Sequence, residues 1–261
     1  MWLILIFLLF PLFAFSNNGS PTSYSFLKHR EHQGVGYETG YTSVDVMANP
    51  IDFSHFYPFL NVRGHVFNDS RFASNLGLIG RYLSNHKNWV FGVNIFYDYR
   101  SAKIFSGQQL GGGAELFFSD LAFRFNGYLP VGVVKKKDET HLQVALANLK
   151  GEVEKTLIEL KPFILKGAVG VYYLTGRSFN NKTFGKAWGS QLRLTALIYE
   201  WIEAGIETTY DHIFNFTFQG YLALKIPIGS TRLRLPEKSF LLNLFQPIRR
   251  NEIIPMQKER R

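Results

Sequence analysis

Residues 75–130 alternate between apolar and polar positions with a period of two. From Trp89, the side chains of Trp89, Phe91, Val93, Ile95, Tyr97 and Tyr99 fall on one side of an extended strand, and Gly92, Asn94, Asp98 and Arg100 fall on the other. Leu121, Phe123, Phe125 and Leu129 repeat the pattern against Arg124, Asn126 and Tyr128, while Gln109, Gly111, Gly113 and Glu115 alternate with Leu110, Ala114, Leu116 and Phe118. Strands of roughly ten residues with one bulky apolar face have the length that crosses a bilayer at a tilt. A soluble sandwich also alternates, but it gathers its aromatics into a shared core. Here Trp89 and the Tyr97/Tyr99 pair stand at opposite ends of one strand, where the two aromatic girdles of a membrane barrel lie. The pattern predicts an all-β fold, a transmembrane antiparallel up-and-down β-barrel of the Gram-negative outer-membrane type.

Extending the pattern outward predicts twelve strands: 34–38, 41–48, 59–67, 72–82, 90–99, 109–118, 121–129, 149–159, 163–174, 189–198, 201–210 and 216–226. With the amino terminus in the periplasm, the short connections at Ser119-Asp120, Lys161-Pro162 and Tyr199-Glu200 lie on that side. The long ones at 101–108, 130–148 and 175–187 lie outside, as in outer-membrane barrels. The barrel is thus assigned to residues 34–229. Ahead of it, residues 1–16 are apolar, too short to span a bilayer, and end in Ala14-Phe15-Ser16 before Asn17, which predicts a secretory signal peptide, with a retained anchor as the alternative. Residues 17–33 are Ser-rich and polar and predict a solvated periplasmic lead-in; His29, Arg30, Glu31 and His32 within it suit a solvated segment better than a metal site.

On the predicted lumen face stand Asn75, Arg81, Asn94, Asp98, Arg100, Glu115, Arg124, Asn126, Lys166, Gln191, Arg193, Glu203, Glu207 and Gln219. Both charge signs are present, which suits either a structural lattice of ion pairs or the lining of a pore or linker passage. The predicted lipid face comprises Trp89, Phe91, Val93, Ile95, Tyr97, Tyr99, Leu121, Phe123 and Phe125.

Composition narrows the classes. The 261 residues are 16% aromatic and hold no cysteine, so no disulfide scaffold or thiolate metal site exists, and no run of apolar residues inside the chain is long enough for a membrane helix. The net charge of +9 is scattered without an aromatic-interleaved basic patch, which argues against nucleic acid. Lys135-Lys136-Lys137 in an outer connection is suited to lipopolysaccharide phosphates or water. Residues 230–261 form a basic tail, with eight Lys/Arg against three acids. No motif calls for a cofactor, and no catalytic residue is assigned. Asp211-His212 near Glu207 is the one arrangement that suggests a rim hydrolase, but adjacent residues of a strand point apart.

Four stretches, Asn75-Leu-Gly-Leu-Ile-Gly-Arg-Tyr82, Trp89-Val-Phe-Gly-Val-Asn-Ile-Phe-Tyr-Asp-Tyr99, Leu110-Gly-Gly-Gly-Ala-Glu-Leu116 and Phe125-Asn-Gly-Tyr-Leu-Pro130, resemble the β-domain of inverse autotransporters, the intimin and invasin group. Phe245 to Ile254 resembles the segment that follows the barrel in that group. The resemblance implies a twelve-stranded barrel inserted by the barrel-assembly machinery, in contact with outer-membrane lipid and lipopolysaccharide, whose linker passes outward through the lumen to display an adhesive passenger. No immunoglobulin-like domain of roughly 100 residues fits after the last strand, so the expectation is a barrel without an attached passenger, with a separately encoded passenger as a candidate partner. A small pore or structural barrel is the alternative. Gln246, Arg249, Arg250 and Asn251 are the expected linker residues: Arg249 and Arg250 would pair with Glu115, Glu203 or Glu207, and Asn251 would bond the wall, unless the tail stays in the periplasm.

Overall fold

A computed structural model describes residues 23–49, 53–137, 141–160, 162–177, 184–199, 201–228 and 244–260. The predicted signal peptide and the first part of the predicted tail lie outside the described residues. The strands are β1 (Ser23–Glu31), β2 (Tyr41–Ala48), β3 (Phe56–Phe67), β4 (Phe72–Leu83), β5 (Trp89–Arg100), β6 (Gly107–Phe118), β7 (Leu121–Val131), β8 (Lys135–Lys137), β9 (His141–Ala145), β10 (Ala147–Leu160), β11 (Phe163–Thr175), β12 (Ala187–Ile198), β13 (Ile202–Asp211), β14 (Asn215–Ile228) and β15 (Met256–Arg260). All except β8, β9 and β15 form one closed antiparallel barrel in which each strand pairs with its neighbours in sequence and β1 closes on β14. β8 and β9 interrupt the long connection between β7 and β10, and β15 adds to them as the third strand of a separate small sheet.

Twelve strands close the barrel, but the first of them corrects the reading of the amino-terminal part. Residues 17–33 are not a lead-in throughout, since Ser23–Glu31 is β1, paired with β14 from Ser23↔Ile228 to Glu31↔Gly220 and with β2 from Ser23↔Ala48 to Arg30↔Tyr41. The physical reason is closure: without β1, the edges of β2 and β14 would present unpaired backbone to lipid, where no water can satisfy it. β1 also alternates, with Tyr24, Phe26 and Arg30 buried inside and Leu27 and His29 exposed. Residues 34–38 are correspondingly not a strand. They form a turn closed by a bridge between Gly34 and Tyr37. Gly36 has a φ of +78°, and a Cβ there would sit 2.5 Å from the Met256 backbone nitrogen, so the turn needs glycine to lie against the tail.

The faces follow the alternation. Phe91, Val93, Ile95, Tyr97, Phe123 and Phe125 are exposed on the outer surface, with Trp89, Tyr99 and Leu121 partly covered. Trp89 packs on Tyr82 at one end of the β4–β5 seam and Tyr99 packs on Phe72 at the other, which places aromatic pairs at both rims. Inside, Gly77 lies opposite Phe96, whose ring occupies the space where a Cβ of residue 77 would fall.

Val93 is 48% exposed near the middle of β5. Val93→Arg is expected to cost about 2–4 kcal/mol and Phe118→Arg, beside the turn, about 0–1 kcal/mol. Denaturant titration of the barrel refolded into lipid vesicles measures both.

Candidate functional site

The site is the lumen, and residues 244–256 run through it. The apolar side chains of this segment are buried one after another along the barrel. Leu244 packs with Leu83, Val90, Phe117 and Ala122 at the end that carries the short turns, Ile248 packs with Phe59, Ile79 and Phe96, and Ile253 packs with Tyr41, Phe67 and Ala73. Ile254 and Met256 meet Phe105 and Ala145 among the long connections, where the chain becomes β15 and pairs with β9 from Met256↔Ala145 onward.

An extended segment inside a barrel has no ladder partner, so its carbonyls must be satisfied by side chains of the wall. Arg81 donates to Leu244 O (2.6 Å) and Gln246 O (2.8 Å), and Arg63 donates to Ile248 O (3.2 Å). Asn126 reaches Arg249 O (3.3 Å), Asn75 reaches Glu252 O (3.0 Å), and Arg100 bonds Ile254 O. The backbone N–H of Asn251 donates to the Tyr128 hydroxyl at 2.7 Å.

Charged side chains of the segment add pairs that depend on its sequence. Arg250 makes two bonds of 2.7 Å to Asp98 and stacks on the Phe96 ring, with its guanidinium carbon 4.2 Å from the centroid. Arg249 pairs with Glu203 at 2.7 Å, and Glu252 meets Lys28, Arg63 and the Tyr41 hydroxyl. The expected pairing therefore holds for Arg249 with Glu203, while Arg250 goes to Asp98. Glu115 and Glu207 are already taken, by Arg81 at 2.7 Å and by Arg30 at 3.3 Å. Gln246 and Asn251 contribute through their backbone, as acceptor and donor respectively.

On the opposite wall a lattice closes without the tail. Arg124 bonds Glu152 (3.1 Å) and Glu154 (3.2 Å), Arg193 bonds both at 2.8 Å, and Lys166 lies 3.8 Å from Glu154. Among the residues predicted for the lumen, Asn75, Arg81, Asp98, Arg100, Glu115, Arg124, Asn126, Lys166, Gln191, Arg193, Glu203 and Gln219 are buried, and Asn94 and Glu207 are half-buried. Sequence reasoning missed Lys28 and Arg30 on β1, Asp45, Arg63 and His65 on β2 and β3, and the central pair Glu152 and Glu154. The signal for the last was present, since both alternate with Gly151, Val153 and Lys155.

Asp211 is 1% exposed at the end of β13; it accepts from the Tyr172 hydroxyl (2.6 Å) and from the backbone N–H groups of Ile213 and Phe214 (both 2.7 Å). It thus organises the β13–β14 turn. His29 bonds Thr42 (2.9 Å) and Glu31 (2.8 Å), and no cluster of residues suited to a metal exists among the described residues.

A closed antiparallel barrel with an apolar outer band, aromatic rims and a polar lumen is an outer-membrane β-barrel. Residues 55–147 match the family model of the inverse autotransporter β-domain. Over those residues, about a third of the chain, the sequence is similar to that β-domain, and the barrel that contains them is of the outer-membrane type. A barrel solved in a study of in-meso crystallization of membrane proteins shares 15% identity, covers 90% of this chain and 100% of its own, and superposes with a TM-score of 0.66. An outer-membrane channel from Pseudomonas putida F1 shares 8% identity over 82% of this chain and 98% of its own, with a TM-score of 0.61. At such identities these two show the fold alone. No curated protein matches the chain.

The Arg250–Asp98 pair is buried and doubly bonded. Arg250→Ala leaves the carboxylate of Asp98 uncompensated and is expected to destabilise the barrel by about 3–5 kcal/mol, with part of the loss recovered in the Asp98→Asn/Arg250→Ala double variant. A double-mutant cycle by denaturant unfolding measures the coupling.

Proposed function

We propose that this barrel is the anchoring and translocation domain of an inverse-autotransporter system: it holds a chain in the outer membrane and passes the segment after β14 outward through its lumen. The observation that carries the reading is the path of residues 244–256, which enters among the short turns and leaves among the long connections. Short turns face the periplasm in outer-membrane barrels, so the segment points to the cell surface. Insertion by the barrel-assembly machinery, contact with lipopolysaccharide and display of a passenger, attached or separately encoded, belong to the same proposal.

A standing pore is the second reading. Against it, the cavity left in the lumen beside the tail is only about 100 Å³ and is bounded by Ile248, Arg249, Arg250 and Glu252 of the tail itself. A solute pathway would require the tail to leave.

Lys258 is exposed at the outer mouth. A Lys258→Cys variant is expected to react with a membrane-impermeant maleimide on intact cells, and deletion of residues 244–261 is expected to raise conductance in planar bilayers. Labelling that requires a permeabilised outer membrane, together with unchanged conductance, would overturn the proposal.

A further inference from the structure

The end of the barrel with the long connections opens into a vestibule of about 550 Å³, a volume in the range of small-molecule sites. Its lining is strongly cationic. Among the described residues, Arg71, Arg100, Lys103, Lys186 and Lys258 face it, against the carboxylate of Glu38. Arg71 already has a partner in Asp69, and the lysines are exposed on the rim.

Arg100 differs from the other buried arginines. Arg30, Arg63, Arg81, Arg124, Arg193 and Arg250 each meet a carboxylate within 2.7–3.3 Å. Arg100 is 2% exposed, and its Nη1 donates to two carbonyls, Gly36 O at 2.8 Å and Ile254 O. Its Nε is buried with no acceptor among the described residues, and no ion pair of Arg100 is found among them. Asp69 and Glu38 act on it through space without bonding it, and a buried guanidinium with no directly bonded carboxylate is costly, a cost that a bound oxyanion would relieve. Gln143, 6% exposed, lines the same vestibule, and its Oε1 is buried with no donor among the described residues. The vestibule therefore presents an unpaired guanidinium N–H and an unpaired amide oxygen, and a sugar carrying a phosphate or carboxylate group matches both, its oxyanion to the first and a hydroxyl to the second.

We infer that this vestibule binds an acidic sugar, with its oxyanion on Arg100, a hydroxyl on Gln143, and Lys103 and Lys186 drawing it in. Guanidinium is suited to this role because its planar fork matches both carboxylate and phosphate. The inference stands whether or not the tail is exported, because it concerns the mouth of the barrel as folded.

The full chain, refolded in detergent micelles, is titrated calorimetrically with glucose 6-phosphate and with glucose. Saturable binding of glucose 6-phosphate, at least tenfold tighter than glucose, is expected. Arg100→Gln is expected to weaken it tenfold or more. Because Arg100 also holds the Gly36 turn and the tail, the Lys103→Gln/Lys186→Gln double variant on exposed positions provides an independent measure, with a several-fold loss and a flatter salt dependence. Heat-modifiable gel mobility verifies that each variant is folded. Repeating the titration in nanodiscs with and without lipopolysaccharide separates the sources: competition assigns the site to phosphorylated sugars of the leaflet, and its absence assigns it to a soluble acidic sugar. Absence of saturable binding, equal binding of glucose, or unchanged affinity in both variants would overturn the inference.

Discussion

Backbone polar groups at membrane depth have no water to bond, and this constraint organises both the wall and the lumen of the protein. In the wall it requires closure, which is why a Ser-rich segment with mixed inward positions becomes β1 and pairs along its length with both β2 and β14. In the lumen it requires that a segment without a ladder partner be bonded by side chains, which Arg63, Arg81, Asn75, Asn126 and Arg100 supply to six carbonyls of the tail. The same demand is met by hydrogen bonds between strands in one place and by inward-facing guanidinium and amide groups in the other.

The ion pairs serve a different end. A buried pair contributes little net stability because desolvation offsets its Coulomb gain, yet removing one partner is costly. Bonds to carbonyls cannot distinguish one register of an extended chain from another displaced by two residues, since every residue carries a carbonyl. Arg249, Arg250 and Glu252 can, because their partners Glu203, Asp98 and Lys28 stand on β13, β5 and β1, on separate parts of the wall. Displacing the tail by two residues would bring Glu252 to the place of Arg250, and a carboxylate to Asp98. The charged stretch 249–252 therefore sets the register that the carbonyl contacts leave open.

Much of this was legible in the sequence where one side of a strand is plainly apolar. The alternation of Val93 and Ile95 with Asn94 and Asp98 assigns faces because a period of two leaves no other choice. β1 escaped because its inward positions include Tyr24 and Phe26 as well as Lys28 and Arg30, so neither face reads as purely polar or apolar. The partner of Arg250 also escaped. Alternation tells which residues face the lumen but not their height or their angle around the axis, and those depend on a register shared by all the strands. The expected partners are Glu115, Glu203 and Glu207, and only that register shows Asp98 beside Asn75, which bonds it at 2.8 Å and also bonds the tail. The small sheet of β8, β9 and β15 joins segments over a hundred residues apart in the chain, a pairing that no local pattern announces.

The two sides of the lumen differ in what they need from the tail. Arg124 and Arg193 pair with Glu152 and Glu154, so the wall formed by β7, β10 and β12 keeps its charge pairs whatever lies beside it. On the other side, Arg81 retains Glu115 and Arg63 retains Asp45 if the tail is withdrawn, but their carbonyl acceptors go with it. An extended polypeptide of any sequence presents carbonyls at the same spacing, so a chain sliding along this side would restore those bonds at each step. Such a wall would be permissive toward the sequence in transit and selective only where an Arg-Arg-Asn-Glu stretch arrives opposite Glu203, Asp98 and Lys28. Under the proposed translocation, the lumen is thereby both a passage and a stop: carbonyl contacts allow movement, and the ion pairs end it.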